Sequence, residues 1–359
     1  MKKMSKLLAI LITVTIGILA LLTGCGSGTS KDEGSTAAVA SSDTAAESTL
    51  ETTDLTVWGV IDPQISAQLI IADKKGFFKE QGLSVTTKLV QSGTEIGPMI
   101  AGGSAPISFE SNYTDISLAS NNVKVKIIAP VANIAGTQCV VAKKGLNLTK
   151  AKDLEGKKIG MSSGSGVLIA IRKMCDELGV DINKLTFVNL QPADQVAALE
   201  KGDIDAMASW EPWTGKAVKM GGQFLFSGKK SELPDKKGDV NWMNFHTTIQ
   251  VTDSFLKKNP NTIKAFLTAI NKATDYVNNN RDESADILSK ELKIDKTELL
   301  EIMSKNVYSI AADDQLENGT KELTDFMYEM KNIKTKPDFS SFTDFSILKE
   351  VDPSLVSVE

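Results

Sequence analysis

The chain has 359 residues, of which 42% are hydrophobic and 24% are charged, with 45 acidic residues against 40 basic ones. The acidic balance argues against a nucleic-acid partner, because nucleic-acid-binding proteins neutralise phosphates with lysine and arginine. With one histidine and no Cys/His cluster, we expect neither a metal site nor a cofactor.

The N-terminus has the pattern of a secretion signal. Lys2, Lys3 and Lys6 precede an apolar run over residues 7–22, and the run ends in Leu-Thr-Gly before Cys25. This resembles the bacterial lipobox, in which the cysteine becomes the lipidated first residue. We therefore expect a signal peptide over residues 1–24 and a lipid anchor at Cys25, which would hold the protein outside the cytoplasmic membrane. The alternative is an ordinary signal peptide with a chance cysteine.

Residues 25–53 are predicted to form a disordered tether. After Cys25 the segment is almost entirely Gly, Ser, Thr, Ala, Asp and Glu, with no periodic apolar face. Such a composition buries too little surface to offset the entropy lost on ordering. The remaining residues, about 300, are enough for two domains.

From residue 54 onwards, short apolar strands alternate with amphipathic helices, a pattern typical of an α/β fold with mostly parallel sheets. Strands are predicted at 55–60, 83–90, 105–111, 123–131, 137–144, 185–190, 205–210 and 245–251. Beyond the last strand the chain is mostly helical. Asn259 and Pro260 are predicted to cap one long helix, and two further helices begin near Asp282 and Asp295.

This order predicts two lobes. The first would contain residues 54–138 and 247–359, and the second residues 139–246. The chain would cross between them at "QCVVAK" and "FHTTIQV". Two crossings place a cleft between the lobes, which suits capture of a small molecule.

Four segments carry a family resemblance: "AQLIIADKKGFFKEQGLSV", "DLEGKKIGMSSGSG", "ALEKGDIDAMASWEPW" and "FLKKNPNTIKAFLTAINKATDYVNNNRDESADIL". In order and spacing they resemble the substrate-binding proteins of ABC importers for nitrate, sulfonates, taurine and thiamine-precursor pyrimidines. The resemblance implies a two-lobed, periplasmic-binding-protein-like (type II) α/β fold with two mixed sheets flanked by helices. It also implies an extracytoplasmic, monomeric binding protein that delivers its solute to a membrane permease and has no enzymatic activity.

Ligands of open α/β sheets lie beyond the carboxyl ends of the strands, at the N-termini of helices. The candidate ligand-binding residues at such positions are Asp62, Gln64, Glu110, Ser111, Asn112, Tyr113, Ser163, Gly164, Ser165, Trp210 and Glu211. Ser163, Ser165 and Asn112 could instead only cap their own helices. Within "SWEPW", Trp210 and Glu211 are assigned to the ligand and Trp213 to packing.

The ligand itself stays open between classes. Small sulfonate or taurine-like compounds are ranked first, with nitrate and a thiamine-precursor pyrimidine or another small heterocycle as alternatives. Arg172 and Arg281 are the only arginines, and Arg172 lies off the apolar stripe of its helix. A guanidinium clamp on an anion is therefore not expected. The acids among the candidates favour a ligand with an amine or amide-like face, such as a zwitterion or an aminopyrimidine.

Two enzyme alternatives were weighed. Residues 160–164 fit G-x-S-x-G, so Ser162, His246 and either Asp203 or Asp205 follow the chain order of an α/β-hydrolase triad. A Gly/Ser-rich turn matches this pattern easily, however, and no glycine-rich oxyanion segment precedes it. The related pyrimidine synthases carry a cysteine-rich motif that is absent here. Cys139 and Cys175 are expected to be two separate buried thiols rather than one bridge.

Overall fold

The computed structural model describes residues 49–91, 93–163 and 165–358. The predicted signal peptide, Cys25, most of the predicted tether and Gly164 lie outside these residues. Among the residues described, no helix is both long and apolar enough to cross a membrane. Cys139 and Cys175 are buried free thiols, as predicted.

The strands are β1 (Asp54–Val60), β2 (Ser84–Val90), β3 (Ile107–Ser111), β4 (Val125–Asn133), β5 (Gln138–Ala142), β6 (Lys158–Met161), β7 (Thr186–Asn189), β8 (Ala206–Trp210), β9 (Gln223–Ser227), β10 (Lys230–Leu233), β11 (Lys236–Asp239), β12 (His246–Thr252) and β13 (Val307–Tyr308). The helices are α1 (Pro63–Lys74), α2 (Phe77–Glu80), α3 (Gly93–Ala101), α4 (Asn112–Ser120), α5 (Val167–Leu178), α6 (Pro192–Lys201), α7 (Trp213–Lys219), α8 (Asp253–Lys258), α9 (Pro260–Asn279), α10 (Arg281–Leu292), α11 (Lys296–Ser304), α12 (Asp314–Glu329) and α13 (Ser346–Val351).

The strands form two mixed sheets, as the resemblance implied. The first has the order β13-β4-β12-β3-β1-β2, and the second has the order β11-β10-β9-β5-β8-β6-β7. In the first sheet β1 is parallel to β2 and β3, whereas β12 is antiparallel to β3 and β4. In the second, β6 is parallel to β7 and β8, whereas β5 is antiparallel to β8 and β9. The sheets are therefore less parallel than strand–helix alternation predicts.

The chain passes between the sheets twice. It leaves the first sheet after β4, enters the second at Gln138, and returns to the first at His246. The predicted lobe boundaries lie next to these connections, and each crossing strand belongs wholly to one sheet. That the two parts move as separate lobes stays a prediction.

The segment between α7 and β12 contains β9, β10 and β11, which are not among the predicted strands. In β10 the buried side chains of Ser231 and Leu233 alternate with the exposed ones of Lys230 and Glu232. The strand is short and only half of its residues are buried, so its sequence has the polarity of a loop.

The predicted tether extends too far by at least five residues. Glu51 accepts hydrogen bonds from the backbone N–H groups of Asn261 and Thr262, at 3.1 and 2.9 Å. These are the first free N–H groups of α9, so Glu51 satisfies the helix N-terminus from outside. Asn259 was predicted to cap α9. Its side chain does not do so, because its amide donates to the carbonyl of Phe255.

Candidate ligand-binding site

A cavity of about 100 Å³ lies where strand ends of the two sheets meet. The first sheet contributes the residues that follow β1 and β3, and the second contributes those that follow β6 and β8. This is where an open α/β sheet presents helix N-termini and loop side chains to a ligand.

The cavity brings together most of the predicted site residues. Its lining includes Asp62, Gln64, Glu110, Ser111, Tyr113, Ser163, Ser165 and Trp210. Apart from Gly164, which lies outside the described residues, two candidates are not among the lining residues. Asn112 is buried within the first sheet's side of the molecule, where its amide donates to the hydroxyl of Thr320 at 3.1 Å. The other is Glu211.

Glu211 was predicted to face the cavity, and this is wrong. Its Oε2 accepts the N–H of Gly215 in the first turn of α7 at 2.7 Å, and its Oε1 pairs with Nζ of Lys305 at 2.7 Å. Both partners lie away from the cavity. Lys305 supplies a positive charge to the buried carboxylate, and the N–H at the start of α7 supplies a hydrogen bond. Because Lys305 follows α11, the ion pair joins the second sheet's side to the first.

Asp62 and Gln64 occupy the start of α1. Asp62 accepts the N–H of Ile65 at 2.9 Å and so caps the helix. Burial raises the pKa of Asp62 to about 7, although hydrogen bonds from the backbone of Ile65 and Gln64 act in the opposite direction. The amide of Gln64 donates to the carbonyl of Glu211 at 2.9 Å, a second link between the two sides.

Glu110 is the most deeply placed acid of the cavity. It is fully buried, and neither carboxylate oxygen makes a hydrogen bond of good geometry to any residue that the structure describes. Burial raises its pKa well above the ordinary value, and the nearby Asp115 raises it further; the Thr114 hydroxyl opposes the rise without reaching hydrogen-bond geometry. A Cβ on Gly93 would come within 2.7 Å of Glu110 Oε2, so the glycine leaves room for the carboxyl group.

Asp115, which sequence reasoning missed, is a third buried acid beside Glu110. Its Oδ2 accepts the hydroxyl of Thr248 at 2.5 Å. Burial raises the pKa of Asp115 to about 7, and the Thr248 bond partly offsets this. Asp115 could have been found only from its position in the first turn of α4, the helix that directly follows the strand of Glu110.

Several donors of the Ser162–Gly166 turn already have partners. The N–H of Ser163 donates to Asn189, and that of Ser165 donates to the carbonyl of Ser162. The Ser162 hydroxyl donates to the carbonyl of Leu190. The turn therefore provides fewer free donors than its sequence indicates.

Further lining residues were missed by sequence reasoning. Gln138 is the register partner of Trp210 across β5 and β8, and Phe245 lies against Gly166, where a Cβ would come within 2.5 Å of its ring. Both residues belong to the two crossing segments, which were assigned to the hinges rather than to the cavity wall. A residue at a crossing necessarily borders the cleft, and this signal could have identified them.

Trp210 and Trp213 have different surroundings, and their assignment to the ligand and to packing stays a prediction. Trp210 lines the cavity. Trp213 instead packs on a small cluster of the second sheet that includes Val141, Val196 and Leu199, with Lys216 Nζ 5.8 Å from the centroid of its ring system.

Ser162 and Asp205, two residues of the hydrolase alternative, have other partners. Ser162 donates to a backbone carbonyl, and Asp205 pairs with Lys143 at 2.7 Å. His246 Nδ1 has no hydrogen-bond partner in the described part of the chain, and burial lowers the pKa of His246 to about 4. No group of three or more potential metal ligands occurs among the described residues.

The chain forms two mixed sheets and passes between them twice, and the strand ends of the two sheets meet at a cavity. These features define a periplasmic-binding-protein fold. The E. coli periplasmic aliphatic sulphonate-binding protein has this fold. It superposes with a TM-score of 0.69 at 15% identity, covering 81% of this chain and 92% of its own.

The chain belongs to the NMT1/THI5-like family, whose model matches residues 64–284. A Bacillus subtilis (strain 168) protein named for binding aliphatic sulfonates is 26% identical over 310 residues, 80% of this chain and 85% of its own. The taurine-binding periplasmic protein of Escherichia coli (strain K12) is 27% identical over 204 residues, 56% of this chain and 61% of its own. A 4-amino-5-hydroxymethyl-2-methylpyrimidine phosphate synthase of Aspergillus parasiticus is 26% identical over 218 residues, 59% and 62% respectively.

Proposed function

We propose that this protein is the extracytoplasmic solute-binding component of an ABC importer and captures a small sulfonate-, taurine- or nitrate-type solute. The observation that carries the proposal is the cavity itself, which is lined from both sheets at their strand ends. A solute held there contacts both sides at once, so its binding favours the closed arrangement over an open one. Sulfonate- and taurine-binding relatives support the ligand class.

The two parts, residues 54–138 with 247–359 and residues 139–246, act as lobes that close on the solute. The closed form is the one that a membrane permease recognises. Cys25 carries the lipid anchor, and the protein works as a monomer beside the membrane. Replacing Cys25 by Ala and growing the cells with a labelled fatty acid tests the anchor: the label is lost from the variant and retained by the parent protein.

A heterocycle is the second candidate ligand. The aromatic side chains of Trp210, Phe245 and Tyr113 all line the cavity, and they provide surfaces on which a flat ring can stack. A relative that is a pyrimidine phosphate synthase points towards the same class. In either case the proposed activity is binding without chemical change.

Thermal denaturation of the protein from residue 49 onwards tests the function directly. A solute at about 100 times its Kd stabilises the folded state by about 2.7 kcal/mol. We expect such a shift with at least one of taurine, short alkanesulfonates, nitrate and aminopyrimidines. If none of them raises the melting temperature, the proposed ligand classes are wrong.

A further inference from the structure

The polar lining contributed by the first sheet consists largely of hydrogen-bond acceptors. Asp62 is 3% exposed, Gln64 is 1% exposed and Glu110 is fully buried, and all three line the cavity. The Gln64 amide nitrogen already donates to the carbonyl of Glu211, and its Oε1 has no partner among the described residues, so it remains an acceptor. Both oxygens of Glu110 likewise have no hydrogen-bond partner within the described part of the chain. Buried acceptors left unpaired cost free energy, and a ligand that donates to them recovers it.

The opposite feature, a positive group for an anion, is missing from the lining. No lysine, arginine or histidine is among the described residues around the cavity. Three lysines, Lys216, Lys219 and Lys293, border a separate cavity on the other side of Asp62 and Trp210. Of these, Lys219 is paired with Glu298.

Resting on the proposed function, we infer that the cavity selects its solute by an amino group directed at Glu110, Asp62 and Gln64, and does not hold an anion that lacks such a group. The ligand class is thus an amine-bearing solute: a zwitterion such as an aminosulfonate, or an amino-substituted heterocycle. Ser165, whose hydroxyl has no partner among residues 49–91, 93–163 and 165–358, faces the same cavity from the opposite sheet and is available to an acceptor group of the solute.

Matched probes that differ only by the amino group test the inference. The probes are taurine against ethanesulfonate and 4-aminopyrimidine against pyrimidine, with nitrate as a bare anion, measured by titration calorimetry. Within at least one pair the amino compound should bind about tenfold tighter or more, because charge-assisted hydrogen bonds are the strong ones.

The outcomes separate this inference from the proposed function. If ethanesulfonate or nitrate binds as tightly as the amino compounds, the protein is still a solute-binding protein, but the inference is wrong. If no probe binds at millimolar concentration, the inference and the proposed ligand class both fail.

A pair of variants locates the contact. Glu110→Gln removes the carboxyl group that can ionise opposite the amino group of a ligand, and it should weaken the amino ligand about tenfold. Asp115→Asn is the matched control, because Asp115 is equally buried but does not line the cavity. The control should not weaken binding. Equal weakening by both variants would overturn the assignment of Glu110.

The pH dependence of wild-type binding decides the question even if a variant does not fold. Burial leaves Asp62, Glu110 and the neighbouring Asp115 with raised pKa values, about 7 for the two aspartates. Tyr113, which also lines the cavity, and Tyr308, which lies near Asp62, have raised pKa values that keep them neutral.

A protonated amine favours the ionised carboxylates, so its affinity should rise between pH 5.5 and 8. An anion favours the protonated carboxyls, so its affinity should fall over the same range. The ammonium group of taurine is protonated over this range, so an affinity for taurine that falls with rising pH would contradict the inference.

Discussion

Residues at strand ends could be predicted from the sequence because the fold fixes where strand ends lie. Asp62, Glu110 and Trp210 line the cavity as expected. The direction of a side chain is harder to predict, as Glu211 shows. It follows β8 immediately after Trp210 but turns towards Lys305, a residue 94 positions further along the chain. Only the folded structure brings that lysine close, so the sequence around Glu211 does not indicate its partner.

The two tryptophans of "SWEPW" should separate binding from stability. Trp210→Ala removes a cavity wall and should cost at least about 1 kcal/mol of binding free energy. Trp213→Ala removes packing from a partly buried position and should lower the free energy of unfolding by about 1–3 kcal/mol.

Calorimetric titration with the bound solute and urea denaturation measure the two effects. Each variant is the control for the other. A loss of stability without a loss of affinity in Trp210→Ala would contradict the assignment.

Elements with strong periodic patterns were predictable, and those that depend on distant partners were not. The strands β1 and β8 lie close to their expected positions. The start of α9 was also located correctly, but its cap was assigned to Asn259. The group that serves its first turn is Glu51, more than 200 residues earlier.

The cap of α9 can be tested by two substitutions. Glu51→Ala removes the acceptor of two backbone N–H groups and should cost about 0.5–2 kcal/mol of stability, the usual range for a lost helix cap. Asn259→Ala should cost less, because that side chain donates within α8 instead. Urea denaturation of the protein from residue 49 onwards compares them; a larger loss in Asn259→Ala would contradict the contact.

The ion pair between Glu211 and Lys305 links elements from opposite sides of the cavity. Lys305→Ala leaves the carboxylate of Glu211 buried without its cation and should destabilise the closed form by about 1–3 kcal/mol, since Lys305 is itself half-exposed. Glu211→Gln removes the buried negative charge itself, so it should cost less stability than Lys305→Ala. Small-angle scattering of the ligand-free variants should show a larger radius of gyration for Lys305→Ala; an unchanged radius would argue that the pair does not hold the two sides together.

For the whole molecule, the buried acids set the pH dependence of stability. Asp62 and Asp115 have pKa values of about 7 when folded, against an ordinary 3.8. Glu110 is shifted in the same direction. The folded protein therefore binds more protons than the unfolded chain between about pH 4 and 7. His246, with a pKa lowered to about 4, acts oppositely but is a single group.

The free energy of unfolding of the ligand-free protein should therefore fall as pH rises from 5 to 7. Each excess proton on the folded state contributes about 1.4 kcal/mol per pH unit. Urea denaturation at pH 5, 6, 7 and 8 gives the profile, and Asp115→Asn should flatten it. Stability that rises through this window would show that the three acids are ionised in the folded protein.

The path of the chain between the sheets also bears on the order of folding. All seven strands of the second sheet lie between Gln138 and Asp239, so that sheet is complete in one uninterrupted stretch. The first sheet is different, because β12 occupies the position between β4 and β3, and β13 forms the edge beyond β4. The position between β3 and β4 stays empty until β12 has been synthesised, although β1 to β4 are synthesised first. A polypeptide that emerges N-terminus first must therefore finish its second sheet before its first, with the early strands waiting for a late partner.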